Sequence, residues 1–351
     1  MITSLKEEKN IRKIREILDS VDRIVVLTHT SPDGDAIGSS TAFRSVMQRI
    51  GKTVTVIIPD MMLSSLRRVP GAEDVIDATK YPDFAKTLID EAELIVCLDF
   101  NDLKRIGKLG NLVETSGAKK ILIDHHENPG SFADVMISRT EVSSTCYLLF
   151  RVLCALEMFD YIDKAAATSI LTGMMTDTGN FSYNCADPEL YVVVAELIRK
   201  GADKEKIYRE QFATHSLDSL RLNAYAILDK MEVLREYGTA IITLTREELN
   251  RNHYVKGDTE GLVNKPLEIP GVEISLFLRE EDGFAKASMR STDECRYANE
   301  ICRDLFGGGG HDKAAGGEYE GSLEECVEFV KSKLPEIREK YLPNLFKRKQ
   351  N

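Results

Sequence analysis

Closely spaced cysteines, long apolar runs and an excess of positive charge are all missing from this 351-residue chain, and each absence removes a class of protein. The seven cysteines (97, 146, 154, 185, 295, 302, 326) include no C-x-x-C pair, are odd in number and lie mostly among apolar neighbours, as in Val96-Cys97-Leu98. That pattern reads as reduced, buried thiols and excludes a disulfide framework or a cysteine zinc site. No run approaches the roughly 18 uninterrupted apolar residues of a membrane helix, and the charged stretch Met1–Lys13 has no apolar signal core. The expectation is therefore a cytoplasmic protein with no membrane association. The formal net charge is −11, from 46 Lys and Arg against 57 Asp and Glu. A grip on long nucleic acid duplexes needs the opposite sign. A small phosphate substrate does not, because bound cations can supply the local positive charge.

What is present suits two globular domains. The length favours two, and 43% hydrophobic with 29% charged residues supplies apolar material for two cores. A charged amphipathic helix is expected from near Ser4 to Val21. Strands are expected at 23–28, 53–58, 94–99 and 120–123, each a short β-branched apolar run of the kind buried on both faces. Helical spacing intervenes at 36–50 and 84–91, and further helices are expected at 143–156, 164–175 and 188–200. The alternation predicts an α/β domain over 1–201 with a mostly parallel, doubly wound sheet. Residues 202–230 read as a helical connector. Hairpins around Glu236-Tyr-Gly238 and Glu280-Glu-Asp-Gly283, then helices at 298–306 and 323–341, predict a smaller α+β domain over 231–346 across a cleft. The tail 347–351 reads as a frayed end.

Four segments place acids or imidazoles where a parallel sheet puts its ligands, beyond the strands' carboxyl ends. The first strand runs into His29-Thr-Ser-Pro-Asp33-Gly-Asp35, a tight turn whose carboxylates and imidazole suit a divalent cation. A capping turn with Asp33 as N-cap would account for it equally. Asp99 ends the strand 94–98, where a cap or turn residue is the ordinary reading. Asp124-His125-His126 follows the next strand, and an acid with paired imidazoles there is hard to explain by packing; Asp124 could fix a histidine's other nitrogen. Asp177 ends an apolar helix, the unfavourable end of the dipole for an anion, and that misfit favours a cation nearby. Taken together these supply hard ligands and a shared carboxylate, as two cations about 3.5–4 Å apart require.

A second signal is Phe306-Gly-Gly-Gly-Gly310-His311-x-x-Ala-Ala-Gly316. Glycines 307–310, placed before a helix with His311 at its entrance, would let backbone N–H groups approach a phosphate; a flexible interdomain loop is the other reading. Upstream, Ser288-Met-Arg290 ends a strand, and Arg290 could clamp a phosphate bidentately. His215 and His253 have no ligand-like neighbours.

At these residues the chain resembles the DHH phosphoesterase superfamily, named for the triplet found here at 124–126, with the glycine-rich signature of the DHHA1 domain at 307–316. The resemblance covers nearly the whole chain, in order and without a departure at a motif position. It implies that His29 and Asp33 hold one manganese and Asp35, His125 and Asp177 the other, with Asp99 bridging. Mg²⁺ or Co²⁺ would be substitutes. It implies that His126 meets the scissile phosphate or leaving group, that Asp124 supports the histidines, and that Ser288, Arg290, Gly308, Gly309, Gly310 and His311 bind substrate. Length and a single C-terminal domain are most similar to the nanoRNase branch, which degrades short oligoribonucleotides to mononucleotides and dephosphorylates 3′-phosphoadenosine 5′-phosphate. The partners expected are short RNA or small nucleotides, with no long duplex and with a homodimer left open. A cyclic di-AMP or linear dinucleotide phosphodiesterase shares the same metal motifs, and a non-catalytic nucleotide sensor would share the fold. Inorganic pyrophosphatase and long-strand exonuclease fit less well.

Overall fold

A computed structural model describes residues 7–342; the expected helix start near Ser4 and the tail 347–351 lie outside them. The chain divides into two compact units, one ending at Thr214 and one beginning at His215.

The first unit is built on six parallel strands: β1 (Arg23–Leu27), β2 (Thr53–Ile58), β3 (Ile76–Asp77), β4 (Leu94–Leu98), β5 (Lys119–Asp124) and β6 (Val135–Ser138), in the order β3-β2-β1-β4-β5-β6. Alternate strand residues feed opposite faces, as the two-residue period demands. Val26, Val96, Ile121 and Ile123 enter one core, and Val25, Leu27, Ile95, Cys97 and Leu122 enter another. The helices are α1 (Glu8–Ser20), α2 (Gly34–Arg49), α3 (Pro82–Glu91), α4 (Leu109–Thr115), α5 (Thr145–Ala155), α6 (Lys164–Asp177), α7 (Pro188–Arg199) and α8 (Lys204–Phe212). Side chains of α1, α2, α5, α6 and α7 complete the first core, and those of α3 and α4 the second. The expected doubly wound sheet is therefore present. Its edge strands β3 and β6 escaped the sequence reading because two and four residues are too short to show a period. Helices α2 and α6 meet through glycine: a Cβ on Gly38 would lie 2.5 Å from the Ser169 carbonyl, and one on Gly173 2.7 Å from an Asp35 carboxylate oxygen. Larger residues would push α6 away from Asp35.

The second unit contains α9 (Leu217–Asp229), β7 (Met231–Leu234), β8 (Thr239–Leu244), α10 (Arg246–Arg251), β9 (Ile274–Glu280), β10 (Phe284–Ser291), α11 (Ala298–Phe306), β11 (Gly309–His311), β12 (Ala314–Glu320) and α12 (Leu323–Tyr341). Its sheet runs β11-β12-β10-β9-β8-β7, antiparallel except for the parallel pair β8 and β9. Both expected hairpins form. The stretch 202–230 is shared out, α8 falling in the first unit and α9 in the second.

One expectation needs correction. The glycine run does not precede a helix: Gly307 closes α11 in the left-handed conformation (φ 60°), and Gly309–His311 form β11, paired with β12. A Cβ on Gly308 would lie 1.9 Å from the Gly316 carbonyl, so glycine here permits backbone to meet backbone rather than an anion to meet a helix end. His311 is accordingly a strand residue. None of the cysteines is paired, and no helix of the described residues is long and apolar enough to cross a membrane.

At the start of α10, Glu248 closes a capping box with Thr245, pairs with Lys230 at 2.8 Å and accepts from Tyr225 at 2.6 Å. Burial would raise its pKa, but the Lys230 ion pair, the Thr245 N–H and the Tyr225 hydroxyl together pull it down to about 2. A depressed carboxyl stabilises the fold above its unfolded pKa and loses that contribution as pH falls through the folded value. Glu248→Gln is therefore expected to melt earlier than wild type at pH 7, with the gap closing between about pH 4.5 and 2. Thermal melts across that range check this, and a gap that does not vary with pH would refute it.

Candidate metal centre

Strands β1 and β4 flank the point where the sheet's winding reverses, the position at which such sheets bind ligands. The ends of β1, β4 and β5 with the loops leaving them, the first turn of α2 and the last residue of α6 deliver the acids and imidazoles singled out in the sequence.

After β1, the His29 Nδ1–H donates to the Thr30 carbonyl at 2.8 Å, which turns Nε2 toward the carboxylates. Asp33 serves in both of the ways its sequence allowed. Its Oδ1 accepts from the Asp35 and Ala36 N–H groups at 2.9 and 3.0 Å as the N-cap of α2, while Oδ2 lies 3.8 Å from His29 Nε2. Asp99 follows β4 in the left-handed region, φ 66°, a conformation that Asp tolerates better than most residues. The turn aims one carboxylate at two imidazoles: Oδ2 is 3.4 Å from His29 Nε2, and Oδ1 is 3.6 Å from His125 Nε2. His125 Nε2 also lies 3.3 Å from Asp177 Oδ2 and 4.0 Å from Asp35 Oδ2. His126 Nδ1 lies 3.9 Å from Asp99 Oδ1 but is paired with Asp124: Nδ1 meets Asp124 Oδ1 at 2.7 Å, and the His126 backbone N–H meets Oδ2 at 3.0 Å.

The donor atoms of His29, Asp33 and Asp99, of Asp35, His125 and Asp177, and of Asp99, Asp124 and His126 form three sets, each within 4.8 Å. Asp35, Asp99 and Asp124 are almost fully buried. Among the side chains alone this packing is electrostatically costly. Burial, reinforced by the Asp99 and Asp177 charges, pushes the Asp35 carboxyl well above the usual range. Burial and the Asp33 and Asp99 charges do the same to Asp177. Burial opposes the ionised form of Asp99 too, but the hydrogen bond and charge of His29 outweigh it and hold that carboxyl low. Burial would lower the His29 pKa, yet Asp99 and Asp33 lift it to about 9. A buried excess of carboxylate with interleaved imidazoles is a donor set that fits divalent cations.

The sequence reading missed the other partner of this cluster. Ser144 caps α5, whose first N–H groups point at Asp35: Thr145 N–H reaches Oδ2 at 2.6 Å and Cys146 N–H reaches Oδ1 at 2.8 Å. The Thr145 hydroxyl donates to Asp99 Oδ1 at 2.9 Å. Ser143-Ser-Thr before an apolar run carried a helix-start signal, but nothing local showed which anion it faced.

In the second unit, Ser288, Gly316 and Gly309 are aligned across β10, β12 and β11, and Arg290, Ala314 and His311 form the next row. These positions share one face of the sheet, while Ala287, Met289 and Ala315 point into the core on the other. Arg290 and His311 thus stand two strands apart, about 10 Å, with only alanine between. Gly310 donates its N–H to Asn299 Oδ1 at 3.0 Å, and Gly308 lies against β12.

Residues 23–174 match the DHH family, N-terminal domain, and residues 235–336 match the DHHA1 domain. An exopolyphosphatase-related protein from Bacteroides fragilis has a crystal structure that superposes with a TM-score of 0.93 at 41% identity, covering 98% of this chain and 99% of that one. The bifunctional oligoribonuclease and PAP phosphatase NrnA of Thermus thermophilus is 29% identical over 334 residues, 94% of each chain. The cyclic-di-AMP phosphodiesterase GdpP of Bacillus subtilis is 25% identical over 93% of this chain but only 49% of its own length.

The Thr145 hydroxyl orients Asp99 without belonging to the donor sets. Thr145→Val is expected to weaken divalent-cation affinity by about tenfold, in the range for lost partners of metal ligands, and Thr145→Ser to restore it. Titration calorimetry with Mn²⁺ measures both. Equal affinity in the valine and wild-type proteins would remove the hydroxyl from this role.

Proposed function

We propose, from the premise that the chain belongs to the DHH family and carries a DHHA1 domain, that this metal-dependent phosphoesterase cleaves short oligoribonucleotides to mononucleotides and converts 3′-phosphoadenosine 5′-phosphate to AMP and phosphate. The likeness to the Thermus thermophilus oligoribonuclease and PAP phosphatase along 94% of both chains supports the substrate class. The single observation that carries the reading is the buried Asp99 carboxylate, whose two oxygens face different imidazoles, the arrangement expected of a group shared by two cations.

On this reading His29 and Asp33 hold one Mn²⁺, Asp35, His125 and Asp177 hold the second, and Asp99 serves both; Mg²⁺ or Co²⁺ could replace manganese. Such cations supply Lewis acidity toward phosphoryl oxygens and make water a nucleophile near neutral pH. The protein's own part is orientation. Asp124 takes the Nδ1–H of His126, leaving Nε2 as the nitrogen that meets a phosphoryl or leaving oxygen. Thr145 and the N–H groups of α5 hold Asp99 and Asp35 in place, so that no carboxylate has to reorient as charge develops on the phosphoryl oxygens. Ser288, Arg290, His311 and the backbone of 308–310 bind the part of the substrate away from the reacting phosphorus. Arg290 offers the planar fork that matches phosphate.

The decisive assay offers purified protein with Mn²⁺ a dinucleotide, 3′-phosphoadenosine 5′-phosphate and cyclic di-AMP. Turnover of the first two is expected. Cyclic di-AMP as the sole substrate would favour the activity of the Bacillus subtilis relative, and bound metal without any turnover would favour a sensor. Asp99→Asn, which preserves shape and tolerance of positive φ, should cut kcat by on the order of 10²–10³ and lower the Mn²⁺ stoichiometry seen by calorimetry; a tenth of the rate retained contradicts a shared ligand. Arg290→Ala should raise KM for short substrates more than it lowers kcat, and an unchanged KM takes Arg290 out of substrate binding.

A further inference from the structure

Outside the ligand cluster the first unit carries a shallow concavity of about 490 Å³, lined by Asn180, Lys204, Glu205, Tyr208, Arg209 and Ala213. One of its lining residues is close in sequence to the metal centre. Asn180 is three residues beyond Asp177, so their Cα atoms are at most about 11 Å apart, and the tight turn that follows α6, with Asn180 N–H on the Met175 carbonyl at 2.7 Å, brings them nearer than that limit. Asn180 is held in positive φ and accepts from Lys204 Nζ at 3.0 Å, which ties the loop leaving Asp177 to the first turn of α8. One helical turn on, Tyr208 stacks against Phe212 (centroids 5.8 Å apart, planes 15°) and remains 44% exposed. Its ring is thus backed on one side and open on the other. Arg209, next to it, is exposed and enters no ion pair among the described residues.

A pre-positioned aromatic ring beside two cations is the chemistry that receives single-stranded nucleotides: bases stack on the ring, and phosphates meet the charges. Resting on the phosphoesterase reading above, we infer that this concavity is a subsite for the second nucleotide of an oligoribonucleotide, its base on Tyr208 and the next phosphate between Lys204 and Arg209. The subsite would then distinguish an oligonucleotide, which extends past the scissile phosphate, from 3′-phosphoadenosine 5′-phosphate, which ends there.

The test is direct binding. Fluorescence anisotropy of a labelled pentaribonucleotide, with Ca²⁺ in place of Mn²⁺ to prevent cleavage, is compared for wild type, Tyr208→Ala, Tyr208→Phe and Arg209→Gln. Tyr208→Ala should weaken binding about tenfold, the scale of one base–aromatic stack, and Tyr208→Phe should restore it. Arg209→Gln should lower the slope of log K against log salt by about 0.7, one single-strand phosphate contact. Affinity for 3′-phosphoadenosine 5′-phosphate, measured by calorimetry, should fall much less than affinity for the pentanucleotide. A wild type that does not bind the pentanucleotide, a Tyr208→Ala protein that binds it as wild type does, or equal losses for both ligands would each overturn the subsite. Cleavage of the same RNA by wild type with Mn²⁺ judges the function separately: binding without cleavage sinks the enzymatic reading and leaves the subsite to stand or fall on anisotropy.

Discussion

Repulsion among the buried carboxylates of Asp35 and Asp99 and the half-buried one of Asp177 is the constraint around which the first unit is arranged. Donor oxygens of Asp35 and Asp177 lie within 4.8 Å of each other and of His125, a separation at which two unit charges repel by about 3–4 kcal/mol at a protein-like dielectric. The chain offsets this in three ways at once. Imidazoles stand between the acids, the amino end of α5 is aimed at Asp35, and a hydroxyl from the same turn takes one oxygen of Asp99. None of them cancels the charge, because Asp35 and Asp177 still favour the protonated form. A cluster stabilised enough to fold but not enough to be neutral has an unmet demand for positive charge, and that demand is its chemical capability.

Only a few architectures can present such a cluster without flexible arms. The winding reversal between β1 and β4 places three strand ends side by side, and buried strands make those ends rigid. The glycine contacts of α2 and α6 bring the end of α6, with Asp177, against the first turn of α2, which carries Asp35. Each ligand-type side chain therefore sits at or beside an end of a regular element: His29, Asp99 and His125 within two residues after a strand, Asp33 and Asp35 at the start of α2, and Asp177 as the last residue of α6, where backbone position is fixed. Asp99 shows the cost. Its positive φ is a conformation worth about 1 kcal/mol or more of strain for an L-residue, accepted because the neighbouring bonds over-determine it.

The same physics explains what could be read from sequence. His29, Asp33, Asp35, Asp99 and the 124–126 triplet were visible because a polar residue directly after a buried β-branched run is conspicuous, and strand ends are where sheets keep ligands. The Thr145 hydroxyl was not, because a helix start announces itself locally while the carboxylate that this hydroxyl meets, Asp99, sits 46 residues away in sequence. The glycine run was misplaced for a related reason. Glycine has no side chain and shows no period, so Gly307–Gly310 read as a helix approach when they are a helix exit followed by a strand. The decisive fact, the carbonyl of Gly316 in the space a Cβ on Gly308 would fill, is a contact between strands and leaves no local mark.

That correction changes the physical account of the proposed recognition more than it changes the residues involved. A helix amino end would have bound phosphate through a dipole and free N–H groups; a sheet face carrying Ser288, Arg290, Gly309, Ala314, His311 and Gly316 would instead offer two spaced side chains. With Ala314 the residue between Arg290 and His311 in that row, no bulky side chain separates the two, which would leave room for a planar base or ribose on the proposed reading. On the proposed function, selectivity for nucleotides over inorganic phosphates would need no broad positive surface, which a chain of net charge −11 does not have. Positive charge would be required only at isolated points, where a cation, one arginine or one lysine would meet one phosphate, and a net acidic chain would repel any polyanion too long for those points to neutralise.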